Sequence, residues 1–367
     1  MRRARVQSRV IALATTVLAF ASPLTAQDST GTTVLFQPTG MTLTFGEGAT
    51  SRRLEQASIP LAMVFPFHRR FSVDLTTAAA YTRIVHGDST HSEIYGGTDT
   101  QLRANIRILM DHLMLTLGVN APSGQYYIDS TQVEAASTIG NDFLSVPISS
   151  MGNGPAGTAG VAAAVRLLGI NLGVGGSLRK SMEFVPYGSG SEEIVYQPGD
   201  ETRLRVSAER RLWLGTASVA MTFMSFGEET ANATTYSTGD RTLTTLGWSL
   251  PVWKASVDLG LWNLSRESGQ QFGGPAPPEN IRNLSAAVTL PLRRWMIRPT
   301  MDSRRWQIDG DLAGELRSYG IAIGIPVGRQ TMLVPSYSAT SGTLHSTSDA
   351  SQADFSGWQA SLLLRRR

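Results

Sequence analysis

The chain has 367 residues, 41% hydrophobic and 17% charged, and no cysteine. Without cysteine there is neither a lipidated anchor nor a disulfide framework. The formal charge of +3 is misleading: Arg2, Arg3, Arg5 and Arg9 hold four of the 32 basic residues in a stretch with none of the 29 acidic ones, leaving 28 against 29, so nothing implies a nucleic-acid partner.

Residues 1–26 read as a secretory signal. Four arginines precede the apolar run Val10–Phe20, and Ala21-Ser22-Pro23-Leu24-Thr25-Ala26 supplies small residues before a cut. The run is too short to span a membrane comfortably as a helix, and no later segment holds 18 uninterrupted apolar residues. Residues 27–367 show no linker, only recurring strand and turn, and are expected to form one domain.

Alternation dominates the rest of the chain. In Leu113-Met114-Leu115-Thr116-Leu117-Gly118-Val119-Asn120-Ala121 every second residue is apolar. Ile170–Leu178 repeats the pattern, and Leu284–Leu290 and Tyr319–Ile325 share it loosely. Strand side chains alternate faces, so each segment has one greasy face and one small or polar face. About ten tilted strand residues cross a bilayer, and a sheet in lipid must close, because open edges would leave backbone groups unpaired. The expected fold is all-β, a closed antiparallel transmembrane β-barrel. Strands are expected near 33–46, 53–67, 71–84, 96–109, 113–123, 156–168, 170–183, 201–212, 214–226, 235–252, 254–265, 281–293, 295–307, 315–327, 330–340 and 354–366. That makes sixteen, or fourteen if 32–46 lies outside or inside the wall.

Short and long connections alternate. Short ones fall around His68–Arg70, Met110–His112, Leu168-Gly169, Arg211–Trp213, Trp253-Lys254, Arg293-Arg294 and Gly328-Arg329. Long ones contain His86–Tyr95, Gln125–Gly154, Gly188–Asp200, Gly227–Thr234, Ser265–Asn280, Ile308–Gly314 and Ser341–Ala353. Short turns belong on the periplasmic side of such a barrel and long loops outside. A proline, an apolar residue, any residue, then a basic residue recurs at Pro66, Pro251, Pro291 and Pro326, each beside a short turn. Proline cannot donate to a ladder and is tolerated at strand ends. The last strand would turn Trp358, Ala360, Leu362 and Leu364 to lipid; three arginines end the chain where such barrels usually carry an aromatic residue for the insertion machinery.

With the apolar faces outward, the other faces line the lumen. Gln101, Arg103, Asn105 and Arg107 then point inward, as do Arg203, Arg205, Ser207 and Glu209. The same alternation places Asp74, Arg166, Arg179, Asp258, Arg298 and Asp302 inside. A charge on the lipid face costs about 2–4 kcal/mol near the midplane, which favours the inward direction. These residues form either a selectivity ladder or a paired network that stiffens the wall. The segment 125–154 has a short helix expected over Asp129–Gly140, capped by Asp129 or Ser130, with Glu134 in its early turns. Its apolar residues suggest that it folds inward, with Tyr126, Tyr127, Phe143 and Leu144 as a constriction or substrate surface, or else forms a lid over the external loops.

Catalysis is not expected. His68 and His112 fall in periplasmic turns; His86, His91 and His345 fall in external loops, where neighbours such as Asp88 and Ser92 are ordinary polar company. No metal-ligand spacing or phosphate-binding glycine loop occurs, and no cofactor is expected.

The stretch Gly96-Gly97-Thr98-Asp99-Thr100-Gln101-Leu102-Arg103-Ala104-Asn105, with Leu117-Gly118-Val119-Asn120-Ala121-Pro122-Ser123-Gly124 after it, resembles outer-membrane transporters of the phenol-degradation MetA pathway, relatives of long-chain fatty-acid channels. Those carry a glycine-aspartate strand start and a proline-threonine-glycine turn; here Ser123 replaces the threonine. The resemblance implies uptake of small hydrophobic or aromatic molecules across the bacterial outer membrane. The expected partners are outer-membrane lipid, the solute and the barrel-insertion machinery. The alternative is a structural or adhesion-type barrel with a closed lumen and partner-binding external loops.

Overall fold

A computed structural model describes residues 31–47, 51–109, 112–125, 127–189, 192–232, 234–271, 274–328, 330–345 and 352–366. The expected signal segment lies outside these residues.

The first stave of the wall is broken: β1 (Thr33–Phe36) and β2 (Thr39–Phe45) are separated by Gln37-Pro38. β3 (Arg52–His68) and β4 (Phe71–His86) come next, and the fourth stave is again two pieces, β5 (His91–Gly97) and β6 (Thr100–Ile108). After it come β7 (Leu113–Ala121), the helix α1 (Val133–Ile139), β8 (Ala156–Leu167), β9 (Ile170–Ser181), β10 (Phe184–Ser189), β11 (Glu192–Gln197), β12 (Glu201–Leu212) and β13 (Gly215–Phe226). β14 (Glu229–Ala231), β15 (Thr234–Tyr236), β16 (Arg241–Val252), β17 (Ala255–Arg266), β18 (Gly269–Gln271) and β19 (Gly274–Ala276) continue the chain. It ends with β20 (Glu279–Leu292), β21 (Trp295–Ile308), β22 (Asp311–Val327), β23 (Thr331–His345) and β24 (Gln352–Arg366).

Among the described residues the wall has sixteen antiparallel staves. Closure is made at the N-terminal stave. β24 pairs with both β1 and β2, which pair in turn with β3, as in Val34 opposite Arg366 and Phe45 opposite Phe355. The fourteen-strand alternative is thereby set aside: residues 33–45 are part of the wall.

The alternation has its expected meaning. Leu117, Val119, Val174, Leu178, Leu204, Leu246, Leu284 and Ile321 are exposed on the outer face. Trp213, 90% exposed, and Trp253, 91% exposed, stand at short turns with Trp295, where amphipathic rings suit a membrane boundary. Lys254 lies over the Trp253 ring at 4.8 Å. The four prolines of the repeated pattern all sit in the last residues of their strands, with Pro66, Pro251, Pro291 and Pro326 opposite Ser72, Ser256, Met296 and Met332.

The long side departs from the expectation of open loops. Residues 183–200 hold the hairpin β10–β11, and 229–236 hold β14–β15; together they form a four-stranded external sheet. Residues 269–276 form the small hairpin β18–β19. The connection expected as long at Ile308–Gly314 is a two-residue turn. Asp309 and Gly310 take φ of 51° and 88°, the left-handed conformation that lets strand twist continue through a tight hairpin.

Candidate functional site: a plugged, arginine-lined lumen

The connection between β7 and β8 folds into the barrel. It starts at the break in the fourth stave. There Asp99, nearly buried, accepts Gly124 N–H at 3.1 Å, Asn153 N–H at 2.7 Å and the Asn120 amide at 2.9 Å. Ser123 Oγ accepts Thr100 N–H at 2.9 Å. The two halves of the Gly96–Asn105 and Leu117–Gly124 pattern therefore meet. Gly124 is required: a Cβ there would lie 2.2 Å from the Met151 carbonyl oxygen.

The helix starts later than the sequence suggested. α1 begins at Val133, and its N-cap, Gln132, makes no side-chain cap bond. Asp129 is occupied locally, accepting the Thr131 N–H at 2.8 Å and its hydroxyl at 2.6 Å, which hold its carboxyl below the ordinary range. Glu134 is in the first turn as expected. It faces the wall, 2.9 Å from His86 Nε2 and 3.5 Å from Arg52 Nη1. Ser92, on β5, receives Ala135 N–H at 3.2 Å and donates to the Thr131 carbonyl.

After the helix the segment is held by polar clamps and by aromatic packing. Gln56 on β3 makes both backbone bonds to Ile148: it accepts the N–H at 2.8 Å and donates to the carbonyl at 2.9 Å. Arg304 on β21 donates to the Phe143 carbonyl and the Ser145 hydroxyl. Phe143 is fully buried, with Leu144, Val146, Ile148 and Met151 nearly so. Its ring stacks on Trp306 and meets Phe355 edge-on at 6.4 Å. Two carboxylates of the segment are engaged: Glu134 with the wall residues just named, and Asp142 with Arg241 at 3.6 Å. Of the expected constriction residues, Phe143 and Leu144 are inside. Tyr127 is not; it packs on Gly188 of the β10–β11 hairpin and is 42% exposed. Tyr126 lies outside the described residues.

This plug leans to one side. Its apolar core is built with residues of β2 to β5, β13, β16, β17 and β20 to β24, such as Leu43, Leu54, Ile84, Ile94, Met224, Leu264, Ile281, Leu316 and Phe355. Among the described residues it takes no side chain from β6, β7, β9 or β12.

On the wall outside that apolar core, register sets the expected lumen residues in rows. One row runs Asp74, Arg103, Gly118, Thr158, Arg179, Glu201. The second runs Arg107, Met114, Ala162, Gly175, Arg205, Thr222. Arg203 lies between them, and Arg166, Asn171 and Glu209 share a row nearer the short turns. Asp74 accepts the Asn105 amide at 2.7 Å, and Asn105 accepts the Thr116 hydroxyl at 2.9 Å. Arg103 donates to Gln101 at 2.9 Å, Arg203 pairs with Glu201, and Arg205 donates to Thr222 at 3.1 Å. Asn171 donates to Glu209 at 3.3 Å. Arg107, Arg166 and Arg179 have no carboxylate at ion-pairing distance among the described residues.

The opposite wall is balanced. Arg298 pairs with Asp258 at 3.3 Å, and Ser249 donates to the same carboxylate at 2.8 Å. Asp302 accepts the Asn283 amide at 3.4 Å. Sequence reasoning missed Gln56, Asp99 and Arg304, which fasten the plug. Asp99 lay within the glycine-aspartate pattern; Gln56 and Arg304 carried no signal beyond being polar on an inward face.

No protein-family model matches the chain. No curated protein sequence matches it either. Among solved structures the chain is similar to a bacterial polysaccharide outer membrane secretin, at 8% identity over 90% of this chain and 98% of that one, TM-score 0.50. It is similar to an outer membrane channel from Pseudomonas putida F1, at 12% identity over 78% and 99%, TM-score 0.43. A third is the CymD monoaromatic hydrocarbon channel, at 12% identity over 93% and 89%, TM-score 0.45. Identities this low show shared architecture alone. With its exposed apolar outer face, the chain has the architecture of a transmembrane β-barrel.

Proposed function

We propose that this barrel is a channel for passive or facilitated uptake of small molecules, hydrophobic or aromatic ones among them. The observation that carries the reading is the one-sided apolar packing of the plug: its buried cluster joins β2 to β5, β13, β16, β17 and β20 to β24 and, among the described residues, takes no side chain from β6 to β9 or β12. A barrel closed for purely structural reasons would gain most by packing its plug against every stave. The meeting of Asp99 with Gly124 supports the resemblance to MetA-pathway transporters, because both halves of that pattern serve one junction. The wall arginines and carboxylates are the proposed lining, and Phe143 and Leu144 the proposed constriction.

Liposome swelling with sugars and with phenolic solutes tests the reading. Uptake above that of protein-free liposomes is expected. Impermeability to both classes would favour the second reading, a partner-binding barrel, for which the external sheet β10–β11–β14–β15 offers a built surface.

A further inference from the structure

The wall outside the plug's apolar core has an uneven charge. Six arginines, Arg103, Arg107, Arg166, Arg179, Arg203 and Arg205, share the inner face of β6 to β12 and its neighbours with three carboxylates, Asp74, Glu201 and Glu209. Between the arginine-bearing strands the wall is floored by small residues: Thr116 and Gly118 on β7, Thr158, Gly160 and Ala162 on β8, Gly173, Gly175 and Ser177 on β9. Strand register sets the arginines around this floor: Arg103 and Arg179 lie in one row across it, and Arg203 is two residues along β12 from Glu201 of the same row. The plug's carboxylates are engaged elsewhere: Glu134 with His86 and Arg52 on β4 and β3, Asp142 with Arg241 on β16, and Asp129 with Thr131 of its own turn.

We infer that the passage along β6 to β12 is an anion path whose solutes carry a carboxylate, compact aromatic acids fitting the hollow over β7 to β9. The inference rests on the channel reading proposed for the barrel. Guanidinium groups bind carboxylates through paired N–H donors, and a planar ring can slide over a floor in which Met114, nearer the short turns, is the one large side chain among the small residues of β7 to β9. A negative solute also relieves repulsion among like charges held together by the wall.

The experiment is single-channel recording in planar bilayers under a potassium chloride gradient, with sodium benzoate and neutral benzyl alcohol as probes. The reversal potential is expected on the anion-selective side. Benzoate is expected to reduce the chloride current several-fold more than benzyl alcohol at equal concentration. The double variant Arg179→Gln, Arg205→Gln is expected to bring the permeability ratio toward unity and abolish the benzoate effect. Arg305→Gln, on the outer face beside Glu315, is expected to change neither. The same recordings on a variant lacking residues 129–141 guard against a closed wild type. A conducting pore that is cation-selective, or unchanged by the double variant, overturns the anion path and leaves the channel standing. Absence of conductance in both proteins overturns the channel reading, and the anion path with it.

Discussion

Phe143 lies stacked on Trp306, with 5.4 Å between ring centroids and 22° between planes. This contact joins the segment inside the barrel to the wall that surrounds it. Truncating a buried Phe to Ala costs about 3–5 kcal/mol, from lost transfer energy and the cavity left behind. Because the barrel closes without the plug, that cost falls on docking of the segment. Phe143→Ala is expected to leave the barrel folded, raise channel conductance and expose residues 129–145 to protease. Wild-type conductance and wild-type resistance to protease in the same variant would show that Phe143 does not hold the plug.

Gln56 makes a two-way clamp with Ile148. Gln56→Leu removes both partners of a buried backbone N–H and carbonyl, each costing about 1–3 kcal/mol when left unsatisfied. Hydrogen exchange should then report faster exchange at Ile148 and its neighbours, with the β3–β4 ladder unchanged. Slowed or equal exchange at Ile148 would contradict the clamp.

Gly314 faces the Phe143 ring, where an added Cβ would sit 3.0 Å from its Cζ and 3.2 Å from Leu344 Cδ2. Gly314→Ala therefore pushes on the plug from the wall, in the direction that overpacking costs about 1–3 kcal/mol. Greater conductance is expected, smaller than the change caused by Phe143→Ala. Measuring a larger effect from the glycine variant would reverse that ranking.

Tyr196, on the external sheet, donates its hydroxyl to Glu229 at 2.6 Å. Burial, then the Glu229 carboxylate, push its phenol well above the ordinary value of 10.0. A group whose acid form is favoured in the fold contributes stability below its unfolded value and loses it as pH rises past that value. The hairpin sheet should therefore weaken above about pH 10. Tyrosinate absorbance measured from pH 9 upward should show late-ionising tyrosines, one of which Tyr196→Phe removes. A variant curve that instead lacks an ordinary early component would refute the assignment.

The wall was legible in the sequence because lipid on one side and a polar lumen on the other impose a two-residue period that few other environments demand. Leu113–Ala121 shows it residue by residue. Stave ends were legible for a related reason: Pro66, Pro251, Pro291 and Pro326 mark where ladder donors are no longer needed. Two of the external hairpins were not, since β14–β15 and β18–β19 have strands of only three residues, too short for a period to register. The helix start was misplaced because Asp129 satisfies Thr131 rather than the helix, and either use suits the same residue. Inward folding of the 125–154 segment could be argued from its exposed apolar cost alone. Its attachment could not, because Gln56 and Ile148 are 92 residues apart, beyond the reach of any local rule. The arginines of β6, β9 and β12 were visible singly; their grouping on one wall emerges only with strand register.

The most direct measurement is the conductance of the channel with and without residues 129–141. Removing the helix and its approach takes away the Glu134 contact with His86 and Arg52 and unseats one end of the plug. A clear rise in single-channel conductance and in the size of sugar admitted is predicted. Identical conductance and size limit in the two proteins would contradict a lumen narrowed by this segment.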